Sequence, residues 1–131
     1  MIYKTLFVYA DASVYPLATG LGAVIKDERG TLIVWRNKAA RAMTCNEAEY
    51  AALIFALEEA LKLKPSTAHV YSDSKVVVEQ MNGWIAVNSA KLKPLHRRAR
   101  ELSQRFKQLT ITHIPRERNQ LADAIADEAV R

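Results

Sequence analysis

The chain has 131 residues, half hydrophobic and a quarter charged, which suits one globular domain over 1–131 and excludes a disordered or fibrous protein. One cysteine, Cys45, excludes an internal disulfide and gives no support to a zinc site. The net charge of +5 is compatible with a polyanionic partner, and the apolar start before Asp11 is too short for a membrane span or a secretion signal. A soluble, cytoplasmic, monomeric protein is expected.

Residues 3–10 alternate and are rich in aromatic and β-branched types, so they predict a strand. Residues 21–27 and 31–36 predict two more, joined as a hairpin by the turn Asp27-Glu28-Arg29-Gly30. Thr44 and Glu47 stand in capping-box spacing, and Tyr50, Leu53, Ile54, Leu57 and Leu61 follow at helical period until Pro65 ends the pattern. A short strand is expected over 68–72. A helix follows over 74–84, with Val77, Met81 and Trp84 on one face and Gly83 marking its end. A longer helix is expected from Lys91 to Leu109. Leu92, Leu95, Ala99, Leu102, Phe106 and Leu109 form its apolar stripe, and Lys93, Arg97, Arg98 and Arg100 are among the cations on its other faces. Residues 110–114 predict a fifth strand, broken by Pro115. A polar Arg-Glu-Arg-Asn loop leads to a last helix from about Asn119.

The order β-β-β-α-β-α-α-β-α implies an α/β fold. Its first three strands form an antiparallel meander, and a right-handed crossover lays strand four parallel to strand one. If strand one lies between strands two and four, the gap between one and four is a topological switch point, where ligands tend to bind beyond the carboxyl ends. Asp11 follows strand one and Asp73 follows strand four. Glu49 sits in the first turns of its helix, on the edge of the apolar stripe. Glu47 falls with Glu58 on the solvent side and takes the capping role. Asp123 opens the last helix and can reach the same crevice.

Taken singly, each acid is as readily a cap, a turn residue or a solvated surface group. Together, four carboxylates in one cleft repel one another, and divalent cations relieve that repulsion. Magnesium suits oxygen ligands and phosphate substrates, and two ions about 4 Å apart can activate water and stabilise a leaving oxygen. Such a set points to a metal-dependent nuclease.

The segments YADAS (9–13), TCNEAEYAALIFALEEA (44–60), YSDSKVVVEQMNGW (71–84) and HIPRERNQLADAIADEA (113–129) resemble ribonuclease H, type 1, in its short archaeal and Bacillus-like branch. The resemblance covers nearly the whole chain. It implies the RNase H-like fold, a five-stranded mixed sheet in the order 3-2-1-4-5 flanked by helices. It implies endonucleolytic cutting of the RNA strand of RNA/DNA hybrids to 5′-phosphate and 3′-hydroxyl ends, with two Mg2+ or Mn2+ ions. Asp11 and Asp73 would hold the metals centrally, Glu49 the metal nearer the leaving group, and Asp123 the metal that prepares the water. Ser13, Thr44, Asn46 and Ser74 would lie along the substrate, and Trp84 would pack on the DNA strand, where deoxyribose lacks the 2′-hydroxyl. The other reading of Trp84 is core packing at helical period.

The chain departs from the family pattern in places. Ala12 replaces a usual glycine, and Val14-Tyr15-Pro16-Leu17-Ala18 replaces a Gly/Pro-rich turn. Cys45 replaces an asparagine, which weakens one minor-groove contact. Lys75 replaces a frequent glutamine and exchanges a base-edge contact for a phosphate one. Arg116 and Arg118 are candidates for phosphate contact, with a solvated loop as the alternative. His113 is read as a packed or half-exposed strand residue rather than a proton carrier, and Asp127 as a surface group. The basic insertion of longer relatives is missing, since only residues 85–90 separate Trp84 from the next helix. The basic face from Lys91 to Lys107 either replaces it or is simply solvated. A module that grips hybrid or double-stranded RNA without cutting, and a different nuclease on the same fold, stand as alternatives.

Overall fold

A computed structural model describes residues 3–131. Five strands form one mixed sheet in the order β3-β2-β1-β4-β5: β1 (Thr5–Val14), β2 (Thr19–Lys26), β3 (Leu32–Ala40), β4 (Thr67–Ser72) and β5 (Gln108–His113). The helices are α1 (Cys45–Leu61), α2 (Lys75–Met81), α3 (Leu92–Ser103) and α4 (Gln120–Glu128), with a 3-10 turn at Arg116–Arg118 before the last. Strand pairing is antiparallel for β1–β2 and β2–β3, and parallel for β1–β4 and β4–β5. Among the described residues no helix is long and apolar enough to cross a membrane.

The alternation in β1 divides the sheet into two faces. Leu6, Val8 and Ala10 join Leu53, Leu57, Val70 and Val77 in the main core, beneath α1 and α3. The opposite face of β1 and β2 is covered by α4. β2 is therefore buried from Thr19 to Ile25, and two glycines permit the close fit. A Cβ on Gly20 would lie 2.0 Å from the carbonyl oxygen of Ala126, and one on Gly22 would lie 2.6 Å from that of Ala122. The hairpin turn forms as expected. Asp27 Oδ1 accepts from the amides of Arg29 and Thr31, and Gly30 takes φ +80°.

Several boundaries differ from the sequence expectation. β1 runs four residues past position 10, because its pairing with β2 continues from Asp11↔Gly22 to Val14↔Thr19 after the pairing with β4 stops at Tyr9↔Tyr71. Asp11 thus stands at the carboxyl end of the parallel ladder, but inside an antiparallel one. β3 continues to Ala40 by pairing with Thr19. α3 ends at Ser103, not Leu109. Tight turns through Arg105 and Phe106 redirect the chain, and pairing of Gln108 with Thr67 draws Leu109 into β5. α2 ends at Met81 and Gly83 takes φ +76°, so Trp84 leaves the Val77–Met81 face and is 70% exposed. The core-packing reading of Trp84 is thereby excluded. The capping box is present, with the Thr44 and Glu47 main-chain amides each donating to the other's side chain. Glu47 itself is buried rather than on the solvent side, because its carboxylate folds back over the helix end and lies 3.9 Å from Arg41.

Candidate active site

Four separate pieces of chain bring the acids together. Parallel pairing of β1 with β4 sets the strand ends that carry Asp11 and Asp73 side by side. The capped first turn of α1 places Glu49 over them. One oxygen each of Asp11, Glu49 and Asp73 lies within 4.8 Å of the others. Asp123, in the first turn of α4, lines the same crevice of about 380 Å³, as do Arg116 and Cys45.

The electrostatics follow from this crowding. Burial, then the neighbouring charge of Asp73, pushes the Asp11 carboxyl up to about 7, and Asp123 adds to the rise. Burial, then the charges of Asp11 and Asp73, pushes Glu49 up to about 9. The main-chain amide of Ala12 beside both carboxylates opposes the shift. Such a set resists full ionisation by itself. Its chemistry fits a hard divalent cation, which takes carboxylate oxygens and cancels their repulsion.

The residues expected along the substrate are placed unevenly. Asn46, Lys75 and Trp84 are exposed, whereas Ser13 and Ser74 are half-buried. Three hydroxyls serve the fold: Ser13 donates to Asp127 at 2.9 Å, Thr44 donates to Glu47 at 3.0 Å, and Ser74 accepts from the Val77 amide at 3.4 Å as the cap of α2. Arg116 is at the acid crevice, but Arg118 instead lines a small cavity with Tyr9 and Lys26. His113 ends β5 exposed, which removes the packed alternative and leaves it a solvent-facing strand residue.

Two supports of the site were absent from the sequence reading. Asn119 is buried just before α4, and its amide donates to the Ala10 carbonyl at 2.9 Å, tying the start of that helix to the strand residue next to Asp11. Asparagine ahead of a helix is a recognisable cap signal, yet here the side chain makes no cap bond and spends its donor across the fold. Asp127, read as a surface group, accepts from both Ser13 and Tyr15 and lies 3.3 Å from Arg131. The Tyr15 and Ser13 hydroxyls, with Arg131, hold its carboxyl below the usual range. These bonds fasten the β1–β2 loop to α4, so Tyr15 gives that loop an anchor of its own.

Residues 10–129 match the family described as reverse transcriptase-like. The chain is 37% identical over 116 residues to the bifunctional protein Rv2228c of Mycobacterium tuberculosis, which covers 88% of this chain and 32% of that protein. It is 36% identical over 115 residues to ribonuclease HI of Halobacterium salinarum, covering 88% of this chain and 58% of that protein. The chain thus spans about a third to somewhat over half the length of these relatives. Among solved structures, RNase H1 from Halobacterium salinarum superposes with a TM-score of 0.93 at 33% identity, over 96% of this chain and 97% of that one. LC11-RNase H1 in complex with an RNA/DNA hybrid superposes with a TM-score of 0.88 at 32% identity, over 95% and 96% of the two chains.

Proposed function

The chain belongs to the ribonuclease H1 family, and from that premise we propose that it cuts the RNA strand of RNA/DNA hybrids endonucleolytically, leaving 5′-phosphate and 3′-hydroxyl ends. The observation that carries this reading is the gathering of Asp11, Glu49 and Asp73 within 4.8 Å, with Asp123 on the same crevice. The hybrid seen with LC11-RNase H1 supports the substrate class.

In this reading Asp11 and Asp73 would be the central ligands of magnesium or manganese ions, with Glu49 serving the leaving-group side and Asp123 the side of the attacking water. Bound divalent ions supply Lewis acidity that makes water nucleophilic near neutral pH and offsets charge on the departing oxygen. The protein prepares for this by holding Asp11 and Glu49 as reluctant acids, so loading the site is tied to proton release. Lys75 and Arg116 take backbone phosphates, as charge-assisted donors do. Asn46 reads the minor groove beside the capped first turn of α1, while Ser13, Thr44 and Ser74 approach through their main chain or by exchanging present partners. Arg118 contacts phosphate at the periphery. The indole of Trp84, free of the core, packs on deoxyribose.

The test is a cleavage assay on a labelled hybrid, with magnesium, manganese or chelator, beside single-stranded RNA, duplex RNA and duplex DNA. Asp11→Asn and Asp73→Asn serve as controls. The expected result is cutting of RNA in the hybrid alone, dependent on metal and on both aspartates. A hybrid that is bound but intact with every metal would replace the nuclease reading with that of a binding module.

A further inference from the structure

The basic stripe of α3 is not used by the acid crevice. Lys93, Arg97 and Arg100 recur at steps of four and three, so they share one edge of the helix, and Gln104 continues the line. Two adjoining depressions run along this edge, of about 550 and 430 Å³, and both are lined by Gly83, Arg100 and Gln104. They meet at those three residues and form one open trough along α3, the first half facing the segment that follows α2 and the second facing the end of α2 and β5. Lys93 and Arg97 line its first half and Lys107 its second. Among the described residues none of these four cations has an ion-pair partner, whereas Arg98 is held by Glu58 at 3.3 Å and by Glu101 at 3.5 Å. The acid that borders the trough, Glu101, is therefore already engaged.

The trough is built rather than incidental. The Tyr50 hydroxyl donates to Gln80 at 2.6 Å, and the Gln80 amide donates to the Ala86 carbonyl at 3.4 Å, which fixes the wall facing α3. His96 meets the Tyr50 ring edge-on at 6.2 Å between centroids. At the near end the lining residues Gly83 and Ile85 are the chain neighbours of Trp84, which is 70% exposed. α2 leads there from the acids: it starts two residues after Asp73, and its seven residues cover about 10 Å. At roughly 3.4 Å per nucleotide step, that is about three steps from the reacting bond. Lys93 to Arg100 covers a further span of about 10 Å, again about three steps.

We propose that this trough binds the sugar–phosphate backbone of the hybrid's DNA strand beyond Trp84, as a second contact region that carries affinity while the acid crevice carries chemistry. Continuity with the indole selects the DNA strand, and guanidinium groups suit phosphate oxygens. The inference rests on the hybrid-nuclease reading for its substrate. Its test does not depend on cutting.

Equilibrium binding is measured by fluorescence anisotropy in chelator over a range of salt. Hybrids of about 20 and about 6 base pairs are compared, the shorter spanning little beyond the crevice at about 3.4 Å per step. The variant is Lys93→Gln/Arg97→Gln/Arg100→Gln, with Arg98→Gln as the paired-cation control and circular dichroism to verify folding. The expected result is at least a roughly tenfold loss of affinity for the long hybrid and a log–log salt slope smaller by about 2 to 3. The short hybrid and the Arg98→Gln control should be unchanged. With magnesium, KM for the long hybrid rises and kcat holds. An unchanged slope, or an equal loss on both lengths, would overturn the proposal. So would displacement of the long hybrid by poly-glutamate at matched charge, which would assign the trough to an acidic protein. A wild-type chain that binds with the stated slope yet never cuts would sink the nuclease reading and leave the trough standing.

Discussion

The acid crevice and the basic trough lie at opposite ends of α2 and solve opposite problems. In the crevice, like charges are forced together and partly buried, and the Asp11 carboxyl is pushed up as a result. In the trough, like charges are spread along one helix edge in solvent, where they repel weakly and stay available. The net charge of +5 hides this division. In the proposed function, proximity of like charges serves chemistry and their dispersal serves grip on a polyanion.

The largest effect should come from breaking the crevice. Asp11→Asn or Asp73→Asn should lower the cleavage rate by about a thousandfold or more, a loss of roughly 4 kcal/mol of transition-state stabilisation, while anisotropy shows the long hybrid still bound through the trough. The pH response sharpens the contrast next. Asp11 and Glu49 hold their protons more tightly in the folded chain than their ordinary values of 3.8 and 4.5 allow. Their contribution to stability is therefore fully present below about pH 4 and is lost as pH rises through about 7 for Asp11 and about 9 for Glu49. Metal-free protein should lose several degrees of Tm between about pH 5 and 9. Divalent ions should restore it by mass action, and Glu49→Gln should flatten the profile. Calorimetry across that range, with and without magnesium, checks both signs.

A smaller effect tests the support of the fourth acid. Asn119→Ala removes the bond to the Ala10 carbonyl and should cost about 1–2 kcal/mol in chemical unfolding. It should also lower kcat more than it raises KM, since Asp123 follows in the next turn. The smallest effect lies at the trough's mouth. Trp84→Ala removes an exposed ring, so stability should hold within about 0.5 kcal/mol. KM for the hybrid should rise several-fold, matching about 1 kcal/mol of stacking.

Local pattern made much of this visible beforehand. Alternation and helical period locate all five strands and all four helices, and they place Asp11, Glu49 and Asp73 at ends that face one crevice. Failures arise where a distant partner decides. The stripe through Leu109 suggests a longer α3, but strand pairing at Gln108 is worth more to the main chain than another helical turn. Asn119 and Asp127 owe their roles to partners 109 and 112–114 residues away, which no periodicity encodes. Glu47 is acidic and looks solvent-facing by position, yet its capping bonds draw it inward. Trp84 satisfies a helical spacing that Gly83 cancels by turning the backbone.

The glycines of β2 have a mechanical consequence for the acids. Gly22 is the ladder partner of Asp11, and its missing side chain leaves room for the main chain of α4 at Ala122, the residue before Asp123. The reach of the fourth carboxylate is thus set by a hard steric stop between helix and strand, not by a balance of soft attractions. A single methyl group at position 22 would act as a shim, lifting the whole helix and widening one side of the site while leaving every carboxylate in the chain.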